Sequence, residues 1–340
     1  MHSIRLQNEF VAKVLAMKIK ILLPVLSLFI LTQLQAQKFE TEEVFYQSDV
    51  KLSGLIFKPN QPLQSKVGIV IVQGSGTSGR SNVWSYTFAE TLVNQGIYVL
   101  LTDKRGCDKS EGDWKTASFH DLSRDIVAGV NHFSDYIGLQ YVGIMGLSQG
   151  GKYVAEVQTM SEKVDFVVSV SSASTTLEHQ IIHEMVNTAR KAGLKVDEIR
   201  EMLDLHILIN NYIKNDEWQP YADRLEELKN SSWSDFAASF PNKKDAWNWY
   251  WIKQNIQYDP LNYWQLVNKP IFIAYGSEDE LDNVPVWDSV YRLQKAFNGK
   301  NNLTMKVYKT GHGMYEDDRR AIRGEFIQHL KEWLKAEIIK

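Results

Sequence analysis

A serine flanked by glycines is the first candidate for chemistry in this sequence, because the segment Gly146–Gly151 reads GLSQGG. The segment follows an apolar run, Tyr141–Met145, and precedes a helical pattern, so the serine falls in a turn between a strand and a helix. A serine in such a turn projects its hydroxyl clear of the backbone, and small residues two places before and after it avoid a collision. The pattern predicts that Ser148 is a nucleophile.

A serine hydroxyl is a weak nucleophile and needs a base beside it. His312 lies between two glycines in a loop that follows the last predicted strand, Leu303–Tyr308. Ligands in open α/β sheets bind at the carboxyl ends of the strands, where such a loop lies. His329, the other candidate, falls in a helical pattern and is more simply a residue of a helix face. We therefore predict His312 as the general base.

An acidic side chain must hold one tautomer of the imidazole and stabilise the imidazolium. Four carboxylates follow the predicted strand Ile271–Tyr275, in the segment GSEDELD at residues 276–282. Composition alone does not choose among them. The position relative to the strand end favours Asp279, and Asp282 remains the alternative.

Attack on a carbonyl also requires two N–H groups that stabilise the developing negative charge. The turn Gly74-Ser75-Gly76 follows the predicted strand Gly68–Val72 and offers flexible backbone near the nucleophile. The second group is the amide directly after the nucleophile. We predict an oxyanion hole formed by the backbone amides of Ser75 and Gln149.

Apolar runs rich in Val and Ile alternate with helical patterns and supply the elements that must position these residues. Near-continuous apolar strands separated by helices predict an α/β fold, in which a mostly parallel sheet is covered on both faces. Two antiparallel strands, Val44–Tyr46 and Leu52–Phe57, precede the alternation. The parallel strands are predicted at Gly68–Val72, Tyr98–Thr102, Tyr141–Met145, Phe166–Val170, Ile271–Tyr275 and Leu303–Tyr308. The helices between them are predicted at Val83–Gln95, Phe119–Tyr136, Gly150–Met160, Val286–Phe297 and Arg319–Ala336.

One interval breaks the alternation, because residues 174–258 contain amphipathic helical patterns and no apolar β run. The patterns cover Ile181–Ala192, Val196–Asn210 and Tyr221–Lys229. We therefore predict an α/β core formed by residues 37–173 and 259–340, with residues 174–258 as a helical cap insertion over one edge of the sheet. The aromatic run Trp247–Trp251 makes this insertion a candidate for the substrate pocket.

These motifs resemble those of the α/β-hydrolase superfamily over roughly residues 44–338. In particular the chain is similar to exported bacterial serine hydrolases of the dienelactone-hydrolase and acyl-CoA thioester hydrolase C-terminal-like group, which includes esterases and prolyl-oligopeptidase-like relatives. The motifs that carry the resemblance are Gln73–Gly76, Asp103–Gly106 with Ser110 and Gly112, Gly146–Gly151, Gly276 with Asp279, Tyr258–Pro260 and Gly311–Gly313. The resemblance implies the α/β-hydrolase fold and a Ser148, His312 and Asp279 triad.

Three positions depart from the pattern of these relatives. Gln73 stands where they usually carry His, and Asp108 stands where they usually carry Gly. The pair Val284-Pro285 lies two residues further from the acid than usual, which keeps Asp282 open as the alternative acid.

Composition narrows the class of protein further. The net charge is −3, with Lys and Arg spread among acids, so the basic stripe of a nucleic-acid binder is missing. The single cysteine, Cys107, excludes a disulfide within the chain and a Cys-based zinc site. We expect a small-molecule substrate, no cofactor, no metal ion and no nucleic-acid partner. The oligomeric state is not predicted.

The N-terminus matches a secretory signal. Lys18 and Lys20 precede a short apolar run, Ile21–Leu31, and a small residue, Ala36, ends the segment before polar sequence begins. We predict residues 1–36 as a signal peptide, with Met17 as the better start and residues 1–16 as an upstream extension. Export to the periplasm or the medium follows from this prediction, with an uncleaved membrane anchor as the alternative.

The favoured function is hydrolysis of carboxylic esters through an acyl-enzyme. An aminoacyl or peptide amide hydrolase with the same triad is the second hypothesis, because both reactions pass through an acyl-enzyme. A thioesterase acting on acyl-CoA is less attractive for an exported protein. The hypothesis from a different functional class is a non-catalytic binding or scaffold protein with a hydrolase fold. The presence of all three triad residues argues against it.

Overall fold

The computed structural model describes residues 39–339, which contain an eight-stranded sheet with the order β1-β2-β4-β3-β5-β6-β7-β8. β1 and β2 run antiparallel to their neighbours, and the pairs from β4 through β8 are parallel. The strands are β1 Phe39–Gln47, β2 Lys51–Pro59, β3 Val67–Val72, β4 Tyr98–Thr102, β5 Tyr141–Leu147, β6 Phe166–Val170, β7 Ile271–Gly276 and β8 Leu303–Tyr308. The predicted export signal, residues 1–36, lies outside the described residues.

Helices cover both faces of the sheet, and one group lies between β6 and β7. The helices are α1 Val83–Val93, α2 Phe119–Ile137, α3 Gly150–Met160, α4 Leu177–Lys191, α5 Val196–Asn215, α6 Trp218–Leu228, α7 Ser234–Ala237, α8 Trp247–Asn255, α9 Leu261–Trp264, α10 Val286–Ala296 and α11 Gly324–Glu337. Short 3-10 helices occupy Trp114–Thr116 and Ser277–Leu281. Among residues 39–339, none of the helices has both the length and the apolar character that a membrane crossing requires.

The buried strand β3 explains why the core has two halves. All six of its residues are buried, and successive side chains point to opposite faces of the sheet. Val70 and Val72 contribute to a core under α2, α3 and α10, whereas Val67, Ile69 and Ile71 contribute to a core under α1 and α11. The predicted mostly parallel sheet with both faces covered is therefore confirmed.

The segment between β6 and β7 has a hydrophobic core of its own. Its centre is a group of aromatic rings in which Trp249 of α8 packs against Tyr212 of α5 and Tyr221 of α6. Asn255 ties the segment to the main core, because its side chain accepts a hydrogen bond from Phe119 N at 2.7 Å and donates one to Ala117 O at 3.3 Å.

Two expectations about the elements are wrong. The C-terminal helix begins at Gly324 rather than Arg319, because Arg319 has a φ of 57° and Tyr315 pairs with Ile322 in a β-bridge. A left-handed residue cannot continue a right-handed helix. The sequence patterns also missed α7, α8 and α9, of which α7 and α9 have only four residues each and too few turns to show a helical period.

Candidate active site

Ser148 lies in a sharp turn directly after β5 and before α3, with a φ of 50°. Its backbone N–H donates to Val170 O at 2.9 Å, which ties the turn to the end of β6. The neighbouring glycines are sterically required. A Cβ on Gly146 would lie 2.5 Å from the backbone of Gly151, and one on Gly150 would lie 2.5 Å from Val72 O. The strained turn is the conformation that exposes a nucleophile at the end of a strand.

The structure brings Ser148, His312 and Asp279 into one chain of hydrogen bonds. The distance between His312 Nε2 and Ser148 Oγ is 2.9 Å, and that between His312 Nδ1 and Asp279 Oδ2 is 2.6 Å. Asp279 is 1% exposed, and its other oxygen accepts a hydrogen bond from Asn283 N at 3.2 Å. A proton on Nδ1 directed at the carboxylate leaves Nε2 free to accept the serine proton.

The two alternative residues lie elsewhere. Asp282 is half-exposed and forms a surface ion pair with Lys191 of α4. His329 lies in α11, where its Nδ1 is 3.1 Å from the hydroxyl of Tyr308. Within residues 39–339, neither the Asp282 nor the His329 side chain forms a hydrogen bond with Ser148 or His312.

The predicted oxyanion residues, Ser75 and Gln149, line the same cavity as Ser148 and His312. Gln149 stands at the N-terminus of α3, where backbone N–H groups point outward and favour negative charge. Within residues 39–339 neither backbone N–H of this pair has a hydrogen-bond acceptor. Both groups are therefore available to an oxygen of a bound molecule.

Lys104 supports the loop that contains Ser75. The buried ammonium donates hydrogen bonds to Gly74 O and to Gly76 O, the latter at 2.9 Å, and it lies 5.7 Å from the centre of the Trp114 ring. Burial lowers the pKa of Lys104 to about 8. The motif that contains Lys104 is part of the family resemblance, but the sequence pattern did not predict a role for this lysine.

Gln73, which directly precedes this loop, stabilises it through buried side-chain hydrogen bonds. Its side-chain amide donates to Thr102 O at 2.8 Å, and its oxygen accepts hydrogen bonds from Ser78 Oγ at 2.8 Å and Ser85 Oγ at 2.6 Å. The side chain is 1% exposed. The departure from the usual His is thus accommodated by a buried glutamine whose side-chain nitrogen and oxygen both have hydrogen-bond partners.

Asp108 keeps the turn conformation that glycine would supply. Its φ of 49° lies in the left-handed region, which Asp tolerates better than most residues. Its carboxylate accepts a hydrogen bond from Ser81 Oγ at 3.1 Å, so the side chain also links two loops.

Trp84, at the start of α1, holds the loop of His312. Its indole N–H donates to Gly313 O at 2.9 Å, and its ring centre lies 5.5 Å from that of the His312 ring. The sequence offered no signal for this contact, because the two residues are far apart along the chain and a Trp near a helix start is usually part of a core.

The cavity above Ser148 has a volume of about 380 Å³. Its far wall comes from α4, with Leu177, Ile181 and Glu184, and from Trp251 of α8. Withdrawal from water raises the pKa of Glu184, and the nearby His312 acts in the opposite direction. Glu184 is the only carboxylate among the described residues that line this cavity.

Lys152 lines the same cavity and anchors the segment that leads from β6 to α4. Its ammonium donates to Ala173 O at 3.2 Å and to Thr175 O at 3.0 Å. Burial lowers the pKa of Lys152 to about 7. Two buried lysines, Lys104 beneath the Ser75 loop and Lys152 in the cavity wall, thus lie near the site, and neither forms an ion pair within residues 39–339.

Solved structures with the same fold include an esterase of Pyrococcus furiosus, which superposes with a TM-score of 0.55 at 21% identity over 88% of this chain and 92% of the esterase. Est1E of Butyrivibrio proteoclasticus, whose structure holds ferulic acid, has a TM-score of 0.56 at 19% identity over 87% of this chain and 100% of its own. The proline iminopeptidase of Mycobacterium smegmatis has a TM-score of 0.56 at 14% identity over 87% of this chain and 98% of its own. At these identities the likeness concerns the fold.

Comparison with curated proteins finds no significant match. The sequence profile described as the alpha/beta hydrolase fold matches residues 69–319, which is more than half of the chain. The matched range begins within β3, ends past the loop of His312 and includes the predicted triad and oxyanion residues Ser75, Ser148, Gln149, Asp279 and His312. The chain therefore belongs to the α/β-hydrolase fold family, and it is a hydrolase by membership of that family.

Proposed function

We propose that this hydrolase cleaves carboxylic esters, with Ser148 as nucleophile, His312 as general base and Asp279 as the orienting acid. The observation that carries the proposal is the hydrogen-bonded chain from Asp279 through His312 to Ser148, which ends in a cavity. A nucleophile, a base and an orienting group within hydrogen-bond reach of one another are the arrangement that acyl transfer requires.

The mechanism follows from the positions of these groups. His312 Nε2 removes the proton of the Ser148 hydroxyl as Oγ attacks the ester carbonyl. The oxygen of the tetrahedral intermediate is bound by the amides of Ser75 and Gln149, which need no reorganisation to receive it. His312 then donates its proton to the leaving alcohol, which departs and leaves the acyl group on Ser148. In the second half of the reaction, His312 takes a proton from the attacking water and returns it to Ser148 Oγ as the carboxylic acid is released.

Replacement of the nucleophile tests the proposal. Ser148→Ala should lower turnover of p-nitrophenyl acetate by roughly a millionfold, because the triad acts as a unit. The native protein should also be labelled by a fluorophosphonate probe, and the variant should not. Circular dichroism spectra that match for both proteins would show that the fold is retained. Equal turnover by both proteins would refute the assignment.

Hydrolysis of aminoacyl amides is the second candidate, and Glu184 is the observation that favours it. Its carboxylate lines the cavity and has no ion-pair partner among residues 39–339, so a substrate ammonium group could pair with it. A paired comparison of an aminoacyl p-nitroanilide with p-nitrophenyl acetate separates the two functions. A higher kcat/KM for the amide would replace the ester assignment, and its loss in Glu184→Gln would identify the recognition group.

We also propose that the protein works outside the cytoplasm. The support is the pattern of Lys18, Lys20, the apolar run Ile21–Leu31 and Ala36 in the sequence. Expression with a C-terminal tag, followed by fractionation and N-terminal sequencing, should find a mature chain that begins at Gln37. A full-length chain in the cytoplasmic fraction would contradict this.

A further inference from the structure

The indole of Trp84, in the first turn of α1, adjoins two parts of the active site. Its ring centre lies 5.5 Å from that of the His312 imidazole, with 36° between the ring planes. On the side of the Ser75 loop, a Cβ on Gly74 would lie 3.7 Å from a carbon of the indole. The same ring therefore lies beside both the proposed general base and the loop of the proposed oxyanion hole.

Two contacts fix the orientation of the Trp84 ring. Its N–H donates to Gly313 O at 2.9 Å, in the residue that follows His312. Phe88, one turn further along α1 and fully buried, packs against it at 80° with 5.8 Å between the ring centres. The indole is therefore held against His312 from the solvent side of the loop to the core of the protein.

The imidazole of His312 changes its charge during the proposed reaction. The proton that leaves Ser148 Oγ arrives at His312 Nε2, so a positive charge forms on the ring. A cation within about 6 Å of the centre of an indole is attracted by the electrons of the indole face. The 5.5 Å between the centres of Trp84 and His312 meets this limit, and it is too short for two rings that lie edge to edge in one plane. Part of the imidazole therefore lies over the indole face.

We propose that Trp84 is a positioning residue of this hydrolase, which acts through His312 because its indole face stabilises the imidazolium that forms there. The proposal rests on the proposed function of Ser148 and His312. The attraction appears only as the positive charge forms, so it lowers the barrier of the reaction and does not tighten the binding of a neutral substrate. It adds to the effect of Asp279, whose carboxylate stabilises the same charge from the side of Nδ1.

Stepwise fluorination of the indole tests the proposal in the full-length protein. Fluorine withdraws electrons from the ring face and weakens its attraction for a cation, while the N–H that binds Gly313 O stays in place. Fluorinated tryptophans are incorporated at position 84 alone, so the other tryptophans are unchanged. With p-nitrophenyl acetate, kcat should fall with each added fluorine, by about three- to tenfold at tetrafluorotryptophan, with little change in KM.

Trp287 provides the matched control. It is 54% exposed at the start of α10, so the same fluorinated series at position 287 should leave kcat unchanged. A flat series at position 84, in protein whose turnover is lost in Ser148→Ala, would overturn the role of Trp84 and leave the proposed function intact. An equal fall at both positions would contradict the proposal as well. Absence of Ser148-dependent turnover would remove the proposed function, and with it the charge that Trp84 stabilises.

The acidic limb of the profile of kcat/KM against pH separates this role from simple packing. Trp84→Leu removes the aromatic face, so the protonated form of His312 is stabilised less and the limb should move to lower pH by about half a unit. Trp84→Phe keeps an aromatic face and should give an intermediate midpoint. Both variants retain Asp279, Glu184 and the charged residues of the cleft that His312 also lines, among them Glu278, Lys309 and Glu316. A loss of rate at every pH with the native midpoint would show a packing role only and overturn the proposal.

Discussion

The carboxyl edge of the sheet and the helical segment between β6 and β7 are built in different ways. At the sheet edge, Ser148, Asp279 and His312 each follow a strand, so strand register decides where they meet. In the helical segment, positions are set by packing of side chains from several helices, as in the contact of Trp249 with Tyr212. One region depends on backbone geometry and the other on side-chain volume.

From this difference we expect catalysis to depend on the sheet edge and the choice among substrates to depend on the helical segment. Changes at the sheet edge should alter the rate of reaction with every substrate, because they alter the distances between reacting groups. Changes in the helical segment should alter the choice among substrates or the stability of the fold. Four further experiments test this division.

The largest effect is expected from the acid at the sheet edge. Asp279→Asn should lower kcat by about 10⁴-fold, because the amide favours the wrong tautomer of His312. The matched change Asp282→Asn, at the half-exposed partner of Lys191, should leave kcat within about twofold of native. Comparable losses in the two variants, or the reverse order, would contradict the assignment of the acid.

A smaller effect at the same edge is expected from Lys104, which acts through the loop of Ser75. Lys104→Met should lower kcat by about 10- to 100-fold with little change in KM, because the oxyanion loop loses two hydrogen bonds from a charged donor. Lys109→Met, at an exposed lysine that pairs with Glu43, is the control and should retain native kcat.

The dependence of kcat on pH gives a second test of the role of Lys104. The pKa of Lys104 is lowered to about 8, so the ammonium is present below this pH and is lost as the pH rises through it. The native enzyme should therefore lose kcat above about pH 8, and the Lys104→Met variant should lack this decline. Identical alkaline limbs in both proteins would show that Lys104 does not control the loop.

The smallest expected effect lies at the junction of the helical segment with the core. Asn255→Ala removes the bonds to Phe119 N and Ala117 O and leaves these buried groups unsatisfied. The free energy of unfolding should fall by about 2 kcal/mol, measured by urea denaturation. Asn298→Ala, at an exposed position, should change it by less than about 0.5 kcal/mol. A drop of the same size in both would argue against a role for Asn255 in the junction.

Much of the fold was predictable, because strands buried on both faces are largely apolar, and β4 and β6 begin and end where the apolar runs predicted. The partly exposed edge strand β8 also has its predicted bounds. The meeting of Ser148 and His312 was also foreseeable, since parallel strands end at one edge of the sheet. Their catalytic roles, and the signal peptide at residues 1–36, stay predictions.

Other features needed the tertiary structure. Asp279 and Asp282 are three residues apart in a loop crowded with carboxylates, and only the 3-10 helix Ser277–Leu281 turns the first inward and leaves the second at the surface. The sequence around Lys104 does not distinguish it from a solvent-exposed lysine, and its burial results from tertiary contacts. The cavity among α4, α5, α7 and α8 was not predictable from the sequence, because it depends on how four helices separated by loops pack together.

Local sterics and burial act on near neighbours along the chain, so the amino-acid sequence was enough to predict most strands and helices and the residues that could react. Which carboxylate meets His312, and what supports the Ser75 loop, became known only from the folded chain. These depend on contacts between residues distant in sequence, and no pattern of spacing encodes such contacts.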